Sequence, residues 1–262
     1  DKYLQANLTN NGTIVWQHGN IIFDGFRTIT NNNIWSITGD RSLSSINSSF
    51  GTINNVGTIT KTSTGTTSLG WVTLLTNSGT INCNAGILSF GGAGATTFTN
   101  IGTLSFAGGT FNGSAGVTFN HNANAIIKGT GTFIHNTTFN RNGIISPGAS
   151  PGILAMNGTE PFSANTTINI EVLDNSGPGT GHDQITRLTG VTLAGTLNVT
   201  QTGSVSPGTF TILTASSITG TGFTVENLPA CYTRQVVGNT VQLTKSAVPV
   251  VTCPANSNVC IA

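Results

Sequence analysis

Acid–base chemistry in this 262-residue chain would have to draw on eight carboxylates: Asp1, Asp24, Asp40, Glu160, Glu171, Asp174, Asp183 and Glu226. Cleaving a glycosidic bond takes two carboxyl groups facing it, about 5–9.5 Å apart. Glu171 and Asp183 are the pair that could meet, because they fall on neighbouring strands of one module. A structural reading competes with this one. Asp183, directly after His182, suits a turn cap or an acceptor of backbone amides, and Glu171 reads as a solvent-facing strand residue. The structural reading is preferred, and no catalytic residue is assigned.

Metal and phosphate chemistry find less support. The acids do not cluster as calcium requires, with its six to eight oxygens. His18, His121, His135 and His182 are scattered; His121 and His135 fall in adjacent repeats and read as surface imidazoles. Gly91-Gly92-Ala93-Gly94 lacks the strand–glycine–helix setting of a phosphate loop. No metal, no cofactor and no enzymatic activity is expected. Among the cysteines, Cys253 and Cys260 enclose Pro-Ala-Asn-Ser-Asn-Val and suit a small disulfide loop in an oxidising compartment. A zinc site there would need four N or S ligands, and no His lies nearby in sequence. Cys83 sits in an alternating apolar stretch and reads as a small core residue.

The elements that position these groups are β-strands. Charged residues make up 6% of the chain and the net charge is +1, against about 25% charged in an ordinary soluble domain. There is no basic field for nucleic acid. No apolar run approaches the roughly 18 residues of a membrane helix. Thirty-four glycines and one methionine fit a turn-rich β protein. No export signal opens the sequence, which reads as a mature protein or a fragment whose signal is gone.

Internal repeats define the organisation. The pattern apolar, polar, Asn, any residue, Gly, Thr, apolar recurs at 8–14, 53–59, 75–81 and 98–104, with weaker copies from Ile29, Phe119 and Phe139. First positions 8, 29, 53, 75, 98, 119 and 139 give steps of 21, 24, 22, 23, 21 and 20 residues. One turn of a β-solenoid, two or three short strands with their corners, uses such a length, and coils then stack at about 4.8 Å. A β-sandwich would not explain one fixed period. Ile14, Trp16, Ile59, Ile81, Cys83, Leu104 and Phe106 alternate as inward residues. Asn10, Asn55, Asn77 and Asn100 should align in a hydrogen-bonded ladder. The recurring Asn and Gly are ascribed to left-handed corners. Trp16, Phe23, Phe26 and Trp35 read as core or as an end cap, and 41–50 as a bulging loop.

The ladder covers 1–142. At 143–154 two triplets, Ser146-Pro147-Gly148 and Ser150-Pro151-Gly152, form a turn-rich joint. Further coils of the same body follow over 143–246, and 247–262 is a linker, the first strand of another module, or a tail that pairs with another chain. The order SPGASPGIL (146–154), INIEV (168–172), GHDQI (181–185), LTGVTLAGTLNV (188–199), PGTFTIL (207–213) and NTVQL (239–243) resembles the C-terminal coils of bacterial autotransporter-type adhesin passengers. The final VPVVTCPAN resembles the opening strand of a hyalin-repeat module. The repeat steps set about 20–24 residues per coil, and these resemblances imply that the coils form a right-handed parallel β-helix exported to the cell surface. The expected role is structural or adhesive, with end-to-end assembly into a fibre and a cell-surface or polysaccharide target. Alternatives are a polysaccharide-binding or polysaccharide-degrading β-helix and an ice-binding solenoid. For ice binding, Thr58, Thr80 and Thr103 align and Thr13 joins them, but Val15, Thr60, Asn82 and Ser105 spoil a second threonine column.

Overall fold

A computed structural model describes residues 1–92, 96–135, 139–158 and 162–247. Among them there is no helix. The chain winds as parallel stacked coils, a β-solenoid of about nine turns. Each early coil has three strands, as in Ile21–Asp24, Arg27–Asn31 and Ile34–Ile37, or Thr66–Leu69, Val72–Asn77 and Thr80–Cys83. Stacking places them on three faces. The second face is a seven-stranded parallel sheet from Leu8–Asn10 to Phe139–Arg141. Its register aligns Leu8, Ile29, Ile53, Leu75, Phe98, Phe119 and Phe139, the seven positions of the repeat. The first and third faces fuse where Thr103–Gly113 and Ile126–His135 run round the corner between them.

Alternation makes these segments strands: one set of side chains packs inward and the next faces out. Trp35, Ile59, Ile81 and Leu104 fill one inward column of the third face. In the middle coils phenylalanines from two faces meet. Phe98 and Phe119 lie edge to face at 4.7 Å, and Phe111 is 5.0 Å from Phe98. Trp16, Phe23 and Trp35 are core rather than cap, while Phe26 is exposed. Cys83 is buried, which pushes its thiol up to about 12. The neighbouring inward column holds Lys61, between Ile37 and Cys83. Its Nζ donates to Asp40 (3.1 Å) and to the Ser63 carbonyl (2.6 Å).

The corner glycines contradict the left-handed explanation. Asn10, Asn55, Asn77 and Asn100 have ordinary backbone, and so do Gly57, Gly79 and Gly102. These glycines are required by stacking: a Cβ on Gly57 would collide with the Asn33 carbonyl, on Gly79 with that of Gly57, and on Gly102 with that of Gly79. Gly12, in the first coil, has open space around it.

After the joint the coil changes. On the third face Ile144, Thr167, Thr196 and Val225 are paired in turn, steps of 23, 29 and 29 residues. The expected 20–24 therefore fails for the last coils. The long second-face sheet gives way to the two short strands Val191–Thr192 and Ile218–Thr219. The stack ends in a hairpin, Tyr232–Val237 with Thr240–Lys245, antiparallel internally and to Gly208–Thr214. This ending differs from the parallel coils expected to residue 246. Residues 248–262, with Cys253 and Cys260, lie outside the described residues; Cys83 and Cys231 are free thiols.

Candidate functional site

The joint and the carboxylate pair form one site. Strand Ile144–Pro147 lies on the third face and pairs with the strands on both sides of it. Gly148 then turns the chain with φ +80°, Ser150 follows with φ 150°, and Ile153–Asn157 resumes the first face. The turn closes over Asp183. This carboxylate is buried and accepts two backbone amides, Gly152 through Oδ1 and Glu171 through Oδ2, both at 2.8 Å. A Cβ on Gly148 would strike the Asp183 Oδ1 and the Gly152 nitrogen, so the first triplet needs its glycine for space as well as for φ. Pro147 is buried within this packing, whereas Pro151 is half-buried on the outer bend.

Asp183 lies 12 residues from the strand amide it accepts and 31 from the joint amide, so one carboxylate links two coils and the turn. Burial pushes its pKa up to about 6, outweighing the two amides; the nearby Glu171 charge adds to the rise. Glu171 is half-buried. Its Oε1 accepts from the hydroxyls of Ser150 (3.3 Å) and Thr202. A shallow cleft of about 340 Å³ opens beside the turn, lined by residues such as Ser150, Glu171 and Thr200. The sequence pairing of Glu171 with Asp183 is thus met in space. Both oxygens of Asp183 are engaged by main chain, as the structural reading has it.

The other described carboxylates also act as acceptors within the fold. Asp1 takes the Asn20 amide and Asp24 takes Gln5. Asp40 takes Lys61 and the Gly65 amide, Asp174 the Ser176 amide, and Glu226 the Arg234 guanidinium at 2.8 Å. Among the described residues no group of three or more His, Cys, Asp or Glu is placed to hold a metal ion.

The asparagine ladder is a second polar feature, running inside the coils. Asn10 Nδ2 donates to Asn31 Oδ1 at 2.6 Å. Asn31 to Asn55, Asn55 to Asn77 and Asn77 to Asn100 follow at 2.7 Å each. Every one of these amides also donates to a backbone carbonyl of the next coil, for instance Asn77 to Thr103 at 3.0 Å. Such side chains are buried without charge and without an orphaned donor.

His121 ends the series, and here the sequence reading is corrected. His121 and His135 are buried, not surface imidazoles, and so is His182. Asn100 donates to His121 Nδ1 (3.2 Å), so Nε2 carries the proton toward the Ile144 carbonyl (3.3 Å). Burial pushes this imidazole down to about 4 and keeps it neutral. Sequence reasoning missed His121 because it stands where the motif has Asn. The spacing Phe119-Asn120-His121 against Phe98-Thr99-Asn100 was the available signal.

Outside, the third face carries a threonine column broken by Ile34, between Thr13 and Thr58, and by Ile126 and Ile144 beyond Thr103. The neighbouring outer column becomes an amide series late in the stack: Asn227 donates to Asn198 (2.7 Å) and Asn198 to Asn169 (3.0 Å). Comparison with models of known protein families and with curated protein sequences gave no match.

Proposed function

We propose that this chain is a non-catalytic rod: a structural or adhesive segment of an extracellular protein at a bacterial cell surface. The observation that supports it most is the use of the carboxylates. All seven described acids hold backbone or side-chain donors of the fold, Asp183 most completely. Catalysis by a carboxylate pair needs one acid free to move a proton. The outer faces are Thr, Ser and Asn with little charge, which suits contact over length rather than concentration of charge at a cleft.

End-to-end growth is part of this reading. The strands Lys2–Leu4, Leu8–Asn10 and Thr13–Trp16 pair on one side only within the described chain. At the other end Tyr232–Val237 is the outer strand of the closing hairpin. A strand edge recruits a further strand, from the same chain or from another copy, and a head-to-tail contact between copies need not close. Electron microscopy of the purified chain should show rods that lengthen with concentration, and beads coated with it should be retained on polysaccharide-coated surfaces. Single short particles at every concentration would remove the fibre part. Beads retained no better than albumin-coated controls would remove the adhesive part. Degradation of a polysaccharide, lost in Glu171→Gln or Asp183→Asn, would overturn the non-catalytic reading.

A further inference from the structure

Most aromatic side chains here are buried in the coils, but three stand at one outer corner, where Trp71 still packs against the core. Arg27, Gly51 and Val72 are register partners on successive coils of the second face. The residues just before them are Phe26, Phe50 and Trp71, so an aromatic stands at the same corner in three consecutive coils. Phe26 is 74% exposed, and Phe50 and Trp71 are half-buried. Phe50 and Trp71 are stacked, with centroids 5.5 Å apart and planes inclined by 26°.

The backbone around the corner is shaped to present them. Asn47 and Ser48, in the bulge leading to Phe50, are left-handed, with φ of 58° and 55°. A serine there carries conformational strain. Gly25 turns the chain before Phe26 with φ +88°, and Gly51 leaves room for the Phe23 ring beneath it. Arg27 folds its guanidinium over Gly25; its Nε is buried and unpartnered, which leaves Nη1 and Nη2 as the nitrogens that can donate outward.

We propose that Phe26, Phe50 and Trp71 form a binding stripe for the pyranose rings of an uncharged polysaccharide, with Arg27 as hydrogen-bond donor to its hydroxyls. The apolar C–H face of a sugar packs on an aromatic face, while hydroxyls at the ring edge need donors such as an arginine fork. Two coil steps, about 10 Å, separate the outer members; this suits consecutive rings of an extended glycan lying along the rod. A protein partner fits the site less well. Even fully covered, three aromatics contribute roughly 150–250 Å² each, below the about 800 Å² per partner of a stable protein interface. The stripe rests on the adhesive reading and supplies its target class.

The test is native electrophoresis of the full chain in gels containing dissolved xylan, mannan or mixed-linkage β-glucan. At least one should retard the wild type. Phe26→Ala and Trp71→Ala should each weaken that retardation roughly tenfold, while Val15→Ala, an exposed control on another face, leaves it unchanged. Phe26 is so exposed that its truncation spares the fold. Trp16 and Trp35 are buried, so quenching of tryptophan fluorescence by the retarding glycan should vanish in Trp71→Phe. No retardation by any of the three, or equal retardation of all variants, overturns the stripe. So does self-association abolished by Phe26→Ala in place of glycan binding. In those cases coated beads that still adhere leave the adhesive reading standing, whereas non-adherent beads remove it separately.

Discussion

The two parts of the rod, 1–142 and 143–246, bury most of their polar groups by different means, the buried Lys61 with its partner Asp40 being the charged exception in the first. The first repeats a neutral amide: each asparagine donates to the next and to a backbone carbonyl, so a coil can be added without adding charge. The second uses single charged pins. Asp183 holds two amides across coils of 29 residues, and Arg187, buried nearby, donates to the Gly158 carbonyl at 2.6 Å. Neutral amides lose little on leaving water when both ends are paired, whereas a buried carboxylate loses much and is tolerated where one group must satisfy several donors. The repeat therefore gives length, and the pins shape coils that no longer repeat.

The sharpest break of this comparison is at the centre of the ladder. Asn77→Leu removes the donor to Asn100 Oδ1 and to the Thr103 carbonyl, and the acceptor for Asn55. Asn55 keeps its bond to the Thr80 carbonyl, and each of the two acceptors left without this donor costs about 1–3 kcal/mol, so urea unfolding should report a loss of roughly 2–6 kcal/mol. Asn10→Leu should cost less, because its oxygen accepts the amide of the exposed Gly12 rather than a buried ladder donor. Equal losses would mean that the ladder is not a connected unit. Next comes the glycine corner. Gly79→Ala must push a Cβ into the Gly57 carbonyl, and overpacking of this kind costs about 1–3 kcal/mol. Gly12→Ala meets nothing and should be neutral in the same assay.

This glycine contrast also measures what the sequence made legible. The period was readable because every coil must bring the same inward residue to the same place, and all seven first positions are register partners. The amide ladder followed from the same spacing. The reason for the glycines did not: their need is steric and appears only when the preceding coil's carbonyl is in place. Lys61 was illegible for a like reason, since its burial depends on Asp40 and Ser63 reaching it. The joint was found by its prolines, but its purpose, wrapping Asp183, links residues 31 apart that no local pattern connects. Coil lengthening after it escaped because the repeat motif had already ended.

A pin should be less forgiving of its pH than an amide. Asp183 titrates near 3.8 in the unfolded chain and near 6 when folded. Between those values the folded state holds the extra proton, so this group makes stability fall as pH rises from about 4 to about 6, with no further change above. Asp183→Asn should abolish that slope. It should also cost about 1–3 kcal/mol at pH 7, because an amide nitrogen then faces a backbone N–H. A variant as stable as the wild type at pH 7 would show that the carboxylate is not holding the joint.

His121 should give the opposite slope from within the amide-held part. Its pKa is depressed from 6.5 to about 4, so on acidification the unfolded chain takes up a proton that the folded chain refuses. Stability from this group is complete above about pH 6.5 and is lost as pH falls toward 4, by roughly 1–2 kcal/mol at pH 5. His121→Asn extends the ladder with the residue the column otherwise uses and removes the titration. The substitution should leave stability at pH 7 within about 1 kcal/mol, since one neutral donor and acceptor replaces another. It should flatten the ladder's acid dependence while the Asp183 slope remains. The two slopes oppose each other between about pH 4 and 6, so the wild type alone would show a muted profile. Only His121→Asn and Asp183→Asn measured side by side separate them. If both variants retain the wild-type profile, neither group titrates as its surroundings require, and the division of the rod into amide-held and carboxylate-pinned parts loses its electrostatic basis.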